Sequence, residues 1–318
     1  MNVAFLAPLQ RAWGRTERML FRPFRIETWL VMGFAAFLSE FLSGGGHGTF
    51  GRSFRTPGMH GSEIPHQIFR RIWDFVSDPA MMVAVVVGGC VLLAVVIVLQ
   101  WVSCRGRFIF LDNVVYERPA IVEPWSRFKR LGNSLFVWTL MFWLAVLVAM
   151  LVVAMPFLAS LRGLWSDDVF HWAGLLSLAG FMFMAIPVAL ALAYTALFLN
   201  HFVVPIMYRH NLTAVEAWTR FLALLRANPF YFLAYGLIMI VLWIAIGFAV
   251  MIVGFGTCCI GFILVATPYL GQVVLLPVHV ALRAYGPEFL AQFGPEVDVF
   301  AAAPAPAPTP APPAAGGA

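Results

Sequence analysis

Long uninterrupted apolar runs limit this chain to a helical membrane fold. Residues 81–99 contain no charged side chain, and comparable runs follow later in the sequence. Crossing the roughly 30 Å hydrocarbon core of a bilayer takes about 20 apolar residues, and in lipid the backbone must form its hydrogen bonds within the segment. Charged residues are only 11% of the chain, against about 25% in soluble domains. We therefore expect an all-α, polytopic membrane protein.

Six apolar segments are candidates for transmembrane helices. We predict the spans near 27–42, 81–101, 135–161, 172–207, 230–253 and 256–282. The first is short for a span. The fourth corresponds to roughly 54 Å of helix, more than the hydrocarbon core requires, so it must kink, tilt or protrude. Pro187 and Pro205 are the expected bending points, because proline removes a backbone donor.

Three Trp-x-Arg triplets suggest an internal repeat. Each stands on a short amphipathic stretch that precedes two apolar segments, and the residues are Trp13 and Arg15, Trp125 and Arg127, Trp218 and Arg220. Trp favours the membrane interface, and Arg is attracted by anionic headgroups. We predict three parallel repeats, at about 7–104, 105–204 and 205–299, each a cytoplasmic interfacial amphipathic helix followed by a transmembrane hairpin.

The third triplet carries its own helix-start signal. Thr213 and Glu216 have the spacing of a capping box, in which each side chain binds the backbone N–H of the other residue. Glu216 and Arg220 are also spaced i,i+4 on the predicted helix. Glu123 and Arg127 repeat that spacing in the second unit, whereas the first unit lacks the glutamate.

The distribution of basic residues predicts the orientation. Most of the 20 lysines and arginines fall in the N-terminal arm and in the second and fourth connections, which share one side of the predicted membrane. The positive-inside rule makes that side cytoplasmic, together with both termini. The arginine-, alanine- and proline-rich composition favours a bacterial source, so we expect a multi-pass protein of the inner (cytoplasmic) membrane.

Two amides recur at matching positions in the later spans. Asn200 precedes Pro205 as Gln272 precedes Pro277, near the predicted cytoplasmic ends of both spans. Each amide is a candidate for an intramembrane polar contact with a neighbouring helix or with carbonyls loosened by the proline. The alternative is that both line a shared polar cavity between repeats, as in transporters built from parallel repeats.

Ionisable groups that mark proton or ion pathways are scarce in the predicted spans. Glu27 and Glu40 lie near membrane faces, His201 near the cytoplasmic boundary, and Asp112 beyond the second span. We expect each to extend toward water or to pair with a nearby arginine.

The sequence predicts no catalytic residue, no metal site and no cofactor. His47, His60 and His66 lie on a glycine-rich loop with irregular spacing, unlike the ligands of a zinc site. The domain is expected to cover 1–299. The Pro/Ala-rich stretch 300–318 cannot form a core and is expected to be a disordered tail.

Several motifs resemble uncharacterised bacterial six-span membrane proteins that are similar to the membrane domain attached to some glycerophosphoryl diester phosphodiesterases. The resemblance covers about 6–294. It rests on the motifs Arg107-Phe-Ile-Phe-Leu-Asp-Asn-Val-Val115, Glu123-Pro-Trp-Ser-Arg127, Glu216-Ala-Trp-Thr-Arg220 and Gln292-Phe-Gly-Pro295. It implies a membrane location and fold. It implies no catalytic residue, because the fused phosphodiesterases carry theirs in a separate soluble domain.

Three classes of function stay open. A non-enzymatic membrane component, acting as a scaffold, an assembly partner or a lipid organiser, needs no residue that the sequence lacks. The alternative is a transporter or channel for a lipid-like or weakly polar solute. A membrane-intrinsic lipid-headgroup enzyme would need clustered carboxylates, His or Cys at one depth, and Asp112 with Glu117 comes nearest. The expected partners are the bilayer, through anionic headgroups, and an unidentified membrane protein, with no nucleic acid.

Overall fold

The computed structural model describes residues 3–40, 79–164, 172–257 and 260–302, and every regular element within these ranges is helical. The helices are α1 Leu6–Leu20, α2 Ile26–Glu40, α3 Pro79–Tyr116, α4 Val122–Arg127, α5 Lys129–Leu164, α6 Trp172–Phe198, α7 Val204–His210, α8 Ala214–Ala227, α9 Pro229–Gly256, α10 Ile260–Ala266, α11 Pro268–Val274 and α12 Leu276–Leu290. A π-helical turn, Leu199–Val203, joins α6 to α7. Short 3₁₀ turns follow α12 at Ala291–Phe293 and Phe300–Ala302.

Long apolar helices make this a multi-pass membrane protein. Four segments among the described residues are long and apolar enough to cross a bilayer: Met81–Tyr116, Lys129–Val152, Ala179–His210 and Pro229–Gly256. Many of their large apolar side chains face outward; Leu92 is 65% and Phe183 is 81% exposed. Apolar surface on this scale is not tolerated by a soluble monomer. The four segments therefore present a surface suited to lipid.

A buried core joins the ends of these segments. Along α3 the side chains change from exposed at Val98 to fully buried at Phe108. An aromatic cluster lies at the centre of the core, where the ring of Phe202 packs 4.8 Å from Tyr235 and 5.4 Å from Phe221, centroid to centroid. Phe289 of α12 packs 4.8 Å from the same Tyr235 ring. The π-helical turn, α8, α9 and α12 thus share one apolar core.

Ion pairs attach α1 to this core. The guanidinium of Arg15 lies 3.1 Å from a carboxylate oxygen of Glu117 and 3.3 Å from one of Glu288. Arg11 pairs with Glu288 at 2.8 Å, and Arg18 with Glu117 at 3.1 Å. The charged side of α1 therefore binds the end of α3 and the end of α12.

Close backbone packing holds α2 against α3. A Cβ at Gly106 would lie 2.8 Å from the carbonyl carbon of Leu38 and 2.9 Å from the nitrogen of Ser39, so the two helices meet only because residue 106 has no side chain. The hydroxyl of Ser103 donates to the carbonyl oxygen of Ser39 at 3.1 Å. This contact places the end of α2 beside the middle of α3.

The fourth predicted segment contains a π-helical turn close to the expected bend. Pro187 lies inside α6, and Pro205 lies at the start of α7, directly after the turn. Proline cannot donate to the carbonyl four residues before it, which for Pro205 is that of His201. The wider turn at Leu199–Val203 accommodates this missing hydrogen bond, and such turns often occur at functional sites.

The structure supports four of the six predicted spans and does not confirm 27–42 and 256–282. In α2, 15 residues are described. The last segment is divided into α10, α11 and α12, because Thr267 is extended (ψ 127°) and Pro268 begins a new helix. The threefold repeat is not confirmed either, since α4 has six residues where α1 has 15 and α8 has 14.

The predicted end of the second helix is wrong. Residues 102–116, expected to be part of a connection, continue α3 without a break. Arg107 and Asp112 are therefore buried helical residues at 4% and 0% exposure. They do not lie on a solvated loop. The physical reason is that this half of α3 packs against α2, α5 and α12, which bury it on several sides.

Some predictions lie outside the described residues. These are the end of the first span, the glycine-rich loop with His47, His60 and His66, and the tail beyond residue 302.

Candidate ligand-binding site

A cavity of about 340 Å³ lies between α2, α3, α6, α9 and α12, within the range of roughly 300–1,000 Å³ that is typical of small-molecule sites. Much of its wall is apolar, formed by Leu190 and Leu197 of α6 and by Met239, Ile240 and Trp243 of α9. Leu190 is 52% and Ile240 is 44% exposed. Both belong to segments that can cross a membrane, so the cavity opens toward the surface suited to lipid.

Five ionisable side chains also line this cavity. They are Glu40 of α2, Arg107 of α3, His201 of the π-helical turn, and His279 and Arg283 of α12. Burying charge is costly unless the charge is paired and hydrogen-bonded. Arg107 and His279 are buried and the other three are partly buried, and such a cluster at a cavity indicates a functional site. We call these five residues the polar cluster.

Within the polar cluster, Glu40 orients His279. The Nδ1 atom of His279 lies 3.2 Å from each carboxylate oxygen of Glu40. The imidazole is almost completely buried, with 2% of its side chain exposed. Its other nitrogen, Nε2, is buried and has no hydrogen-bond partner among the described residues. The carboxylate thus holds the ring by one nitrogen and leaves the second for a ligand.

Arg283 is held in the cavity wall by main-chain oxygens. Its Nη1 donates to the carbonyl of Asn200 at 3.1 Å, and its Nη2 donates to the carbonyl of Arg107 at 2.6 Å. Burial and the neighbouring charge of Arg107 lower the pKa of Arg283 to about 9, against a smaller raising effect of Glu40. The guanidinium is therefore fixed in place, and its surroundings disfavour its charge.

The π-helical turn contributes His201 and Asn200. The Nδ1 of His201 lies 2.8 Å from the hydroxyl of Tyr235, whose ring stacks on Tyr285 at 4.9 Å. A Cβ at Gly286 would clash with the carbonyl oxygen of His201. The glycine therefore lets α12 approach the turn closely enough to bring His279 and Arg283 beside His201.

A second, apolar groove adjoins the cavity. It has a volume of about 570 Å³ and runs between α1, α9 and α12, with Leu9, Trp13, Leu242 and Ile246 among its lining residues. Leu282 lines both the groove and the cavity. The two spaces are thus neighbours on either side of one leucine of α12.

The two predicted amides differ in position. Asn200 lines the cavity, and its carbonyl accepts from Arg283. Gln272 lies on α11 and is not among the residues that line the cavity, and its buried Oε1 has no hydrogen-bond partner among the described residues. The structure therefore does not bring the two amides together in this cavity. Their role as intramembrane contacts stays a prediction.

The first Trp-x-Arg triplet faces the groove and the core. Trp13 lines the groove and is 52% exposed. Arg15 forms the ion pairs described above, and its guanidinium lies 3.9 Å from the ring centroid of Phe300. The tryptophan can thus reach an interface, while the arginine attaches α1 to the core.

The other two triplets pack their tryptophans on neighbouring helices. Trp125 lies edge-on to Trp101 at 6.2 Å, and Trp218 stacks on Trp138 at 5.3 Å. Arg127 and Arg220 are exposed. The predicted capping box of α8 is confirmed: the Thr213 backbone N–H donates to Glu216 Oε2 at 2.9 Å, and the Glu216 backbone N–H donates to Thr213 Oγ1 at 3.5 Å.

Sequence reasoning missed most of the polar cluster. It placed Arg107 in the second connection and Arg283 in the tail after the last span, treated Glu40 and His201 as separate boundary residues, and did not single out His279. One signal was present, because His279 and Arg283 stand four residues apart in the otherwise apolar run 275–284. That spacing places both on one helical face. No group of three or more His, Cys, Asp or Glu in the described part of the chain could hold a metal ion.

Comparison with known proteins assigns the chain to a family, but that family has no assigned activity. The model of DUF7544, a family of unknown function, matches residues 4–302, and the chain belongs to this family. No curated protein and no solved structure matches the chain. The comparisons provide no link to glycerophosphoryl diester phosphodiesterases.

Proposed function

Because membership of this family assigns no activity, we propose a function from the cavity: the protein is a non-enzymatic, lipid-organising component of a membrane that holds one amphiphilic molecule between α6, α9 and α12. The observation that carries this proposal is the composition of the cavity wall. Apolar residues, among them the exposed Leu190 and Ile240, form much of the wall, and the polar cluster lines the same cavity. This combination suits a molecule with an apolar chain and a polar end.

The location follows from the sequence. The four apolar segments support a multi-pass protein, and the excess of arginines in the N-terminal arm and after α3 favours both termini on the cytoplasmic side of a bacterial inner membrane. The exposed cations Arg127 and Arg220 would then contact anionic headgroups at that face.

The experiment is to extract the full chain with its surrounding bilayer in polymer nanodiscs and identify retained molecules by mass spectrometry. We expect about one amphiphile per chain to persist through washing with neutral detergent. Ala193→Phe, which places a ring in the cavity wall, should remove that molecule. Ala191→Phe is the matched control, because Ala191 is exposed on the same helix and does not line the cavity. Equal retention by both variants would refute the proposal, and a retained polypeptide would favour a scaffold.

Transport of the same amphiphile is the second candidate. It is favoured by the π-helical turn, which lies in a segment that can span the membrane and carries Asn200 and His201 at the cavity. Asn200→Leu would then reduce lipid movement between the leaflets of proteoliposomes, measured with fluorescent lipids. An unchanged rate of lipid movement in folded Asn200→Leu protein would refute transport through this site and leave the binding proposal intact.

A further inference from the structure

The chemistry of the polar cluster narrows the class of amphiphile. Two arginines and two histidines line the cavity with a single carboxylate, Glu40. That carboxylate is engaged by His279. Among the described residues Arg283 forms no ion pair, and its Nη atoms donate to uncharged carbonyl oxygens. An anion in the cavity would therefore add an ion pair to Arg283, which has none among the described residues.

The side chains that line the cavity suggest how such an anion would be held. The Nε of Arg283 and the Nε2 of His279 are both buried without a hydrogen-bond partner among the described residues. His279 is only 3% exposed, so this nitrogen has little access to bulk water. Arg107, itself 4% exposed, adds a second guanidinium to the same wall. The two guanidinium groups, on α3 and α12, can donate charge-assisted hydrogen bonds to a phosphate. The Nε2 of His279 adds a donor when the ring carries a proton on both nitrogens, as an imidazolium paired with Glu40.

The neighbouring groove explains where an acyl chain would go. Leu282 separates the cavity from the apolar groove between α1 and α9, and the exposed ring of Trp13 lines that groove. An acyl chain can leave the cavity by two routes. One passes the mouth at Leu190 and Ile240 toward the lipid-facing surface, and the other passes Leu282 into the apolar groove. Both routes are lined by apolar side chains.

We propose that the cavity binds the phosphate group of an anionic phospholipid, held by Arg107, Arg283 and His279, with its acyl chains along the apolar mouth and groove. The proposal rests on the proposed amphiphile binding and names the class of molecule bound there. A zwitterionic lipid is disfavoured, because its quaternary ammonium would lie near two guanidinium groups. A fatty acid is disfavoured, because its single acyl chain would occupy only one of the two apolar routes.

The test uses native mass spectrometry of the full chain, purified in neutral detergent and titrated with phosphatidic acid, phosphatidylglycerol, phosphatidylcholine and oleate of matched chain length. Loss of one hydrogen bond to a charged group changes affinity by roughly tenfold or more. We expect the two anionic phospholipids to bind at least about tenfold more tightly than phosphatidylcholine, whose ammonium would lie near the guanidinium groups, and than oleate, which has a single acyl chain. Arg283→Gln should weaken their binding by about tenfold or more.

The matched control is Arg220→Gln, which removes the same charge from an exposed position on α8 and should leave lipid binding within about twofold, as expected for a solvent-screened charge. If Arg283→Gln does not fold, the lipid series on the unmodified chain decides the outcome. Equal binding of phosphatidylcholine and phosphatidic acid would overturn the preference for an anionic headgroup, and equal binding of oleate would overturn the phosphate assignment; both results would leave amphiphile binding intact. Retention of none of these lipids would instead overturn the proposed function.

A separate experiment tests whether the bound phosphate belongs to a lipid or is free inorganic phosphate. Inorganic phosphate at millimolar concentration should fail to displace bound phosphatidic acid, because it lacks the acyl chain. Full displacement would identify the cavity as a site for the free anion and overturn the lipid assignment.

Discussion

The buried carboxylate of Asp112 allows a sharp test of the packed core. Asp112 is 0% exposed, and its Oδ1 accepts a hydrogen bond from the hydroxyl of Tyr208 at 2.7 Å. Its Oδ2 lies 3.6 Å from Arg118 and has no hydrogen-bond partner among the described residues. Arg118 thus pairs with the charge of this carboxylate, and the phenol donates the short hydrogen bond to it. We predict that Tyr208→Phe destabilises the protein.

The magnitude follows from the chemistry of this contact. A hydrogen bond to a charged group contributes about 1.5–3 kcal/mol, and leaving the buried partner unsatisfied incurs its desolvation penalty. We expect a loss of about 2 kcal/mol, or roughly 3 °C in Tm for a chain of this size. The measurement is thermal unfolding of the purified protein in a neutral detergent, followed by tryptophan fluorescence and by loss of the monodisperse peak in size-exclusion chromatography.

Tyr269→Phe is the matched control. The hydroxyl of Tyr269 donates to the carbonyl of Leu30 at 3.0 Å in an exposed contact, where water can replace it, so we expect a loss below about 1 kcal/mol. If the Tm of Tyr208→Phe lies within about 1 °C of that of the unmodified chain, the hydrogen bond from this phenol does not stabilise the buried carboxylate of Asp112. The reasoning about the buried end of α3 would then be wrong.

Two further substitutions test local contacts. Gly106→Ala should cost about 1–3 kcal/mol through overpacking, because its new Cβ meets backbone atoms of Leu38. Gly88→Ala on the same helix has nothing within 4 Å and should be neutral or slightly stabilising in the same thermal assay. Thr213→Ala should cost about 1 kcal/mol by removing the N-cap of α8. In this variant, hydrogen exchange of the backbone amides in the first turn of α8, around Glu216, should become faster. If these amides are as well protected as in the unmodified chain, Thr213 does not act as the cap.

The sequence predicts the parts of the fold that depend on local chemistry. Apolar runs of sufficient length identify the segments of α3, α5, α6 and α9, since transfer to lipid depends on each run by itself. The capping box of α8 is also local and is confirmed. The fourth segment was expected to be irregular near Pro205, and a π-helical turn occurs directly before that proline.

The candidate site could not be predicted in the same way, because its residues are far apart in the chain. Glu40, Arg107, His201 and Arg283 lie on four different elements, and each alone is typical of a membrane boundary. Glycines decide which elements meet: Gly106 allows α2 to contact α3, and Gly286 allows α12 to contact the π-helical turn. Such pairings depend on shape across the whole molecule, and a single sequence carries no direct record of them.

The change of surface along α3 relates the site to the membrane. Apolar side chains are exposed as far as Val98, and the side chains from Ser103 to Val115 are buried. Arg107 follows Val98 by nine residues, or roughly 13 Å of helix. If the end of the exposed apolar surface marks the edge of the hydrocarbon, the polar cluster lies near the level of the headgroups, while the apolar mouth on α6 and α9 lies within the acyl chains. An anionic lipid could then enter between α6 and α9 without moving its headgroup into the hydrocarbon, so binding would require little deformation of the bilayer.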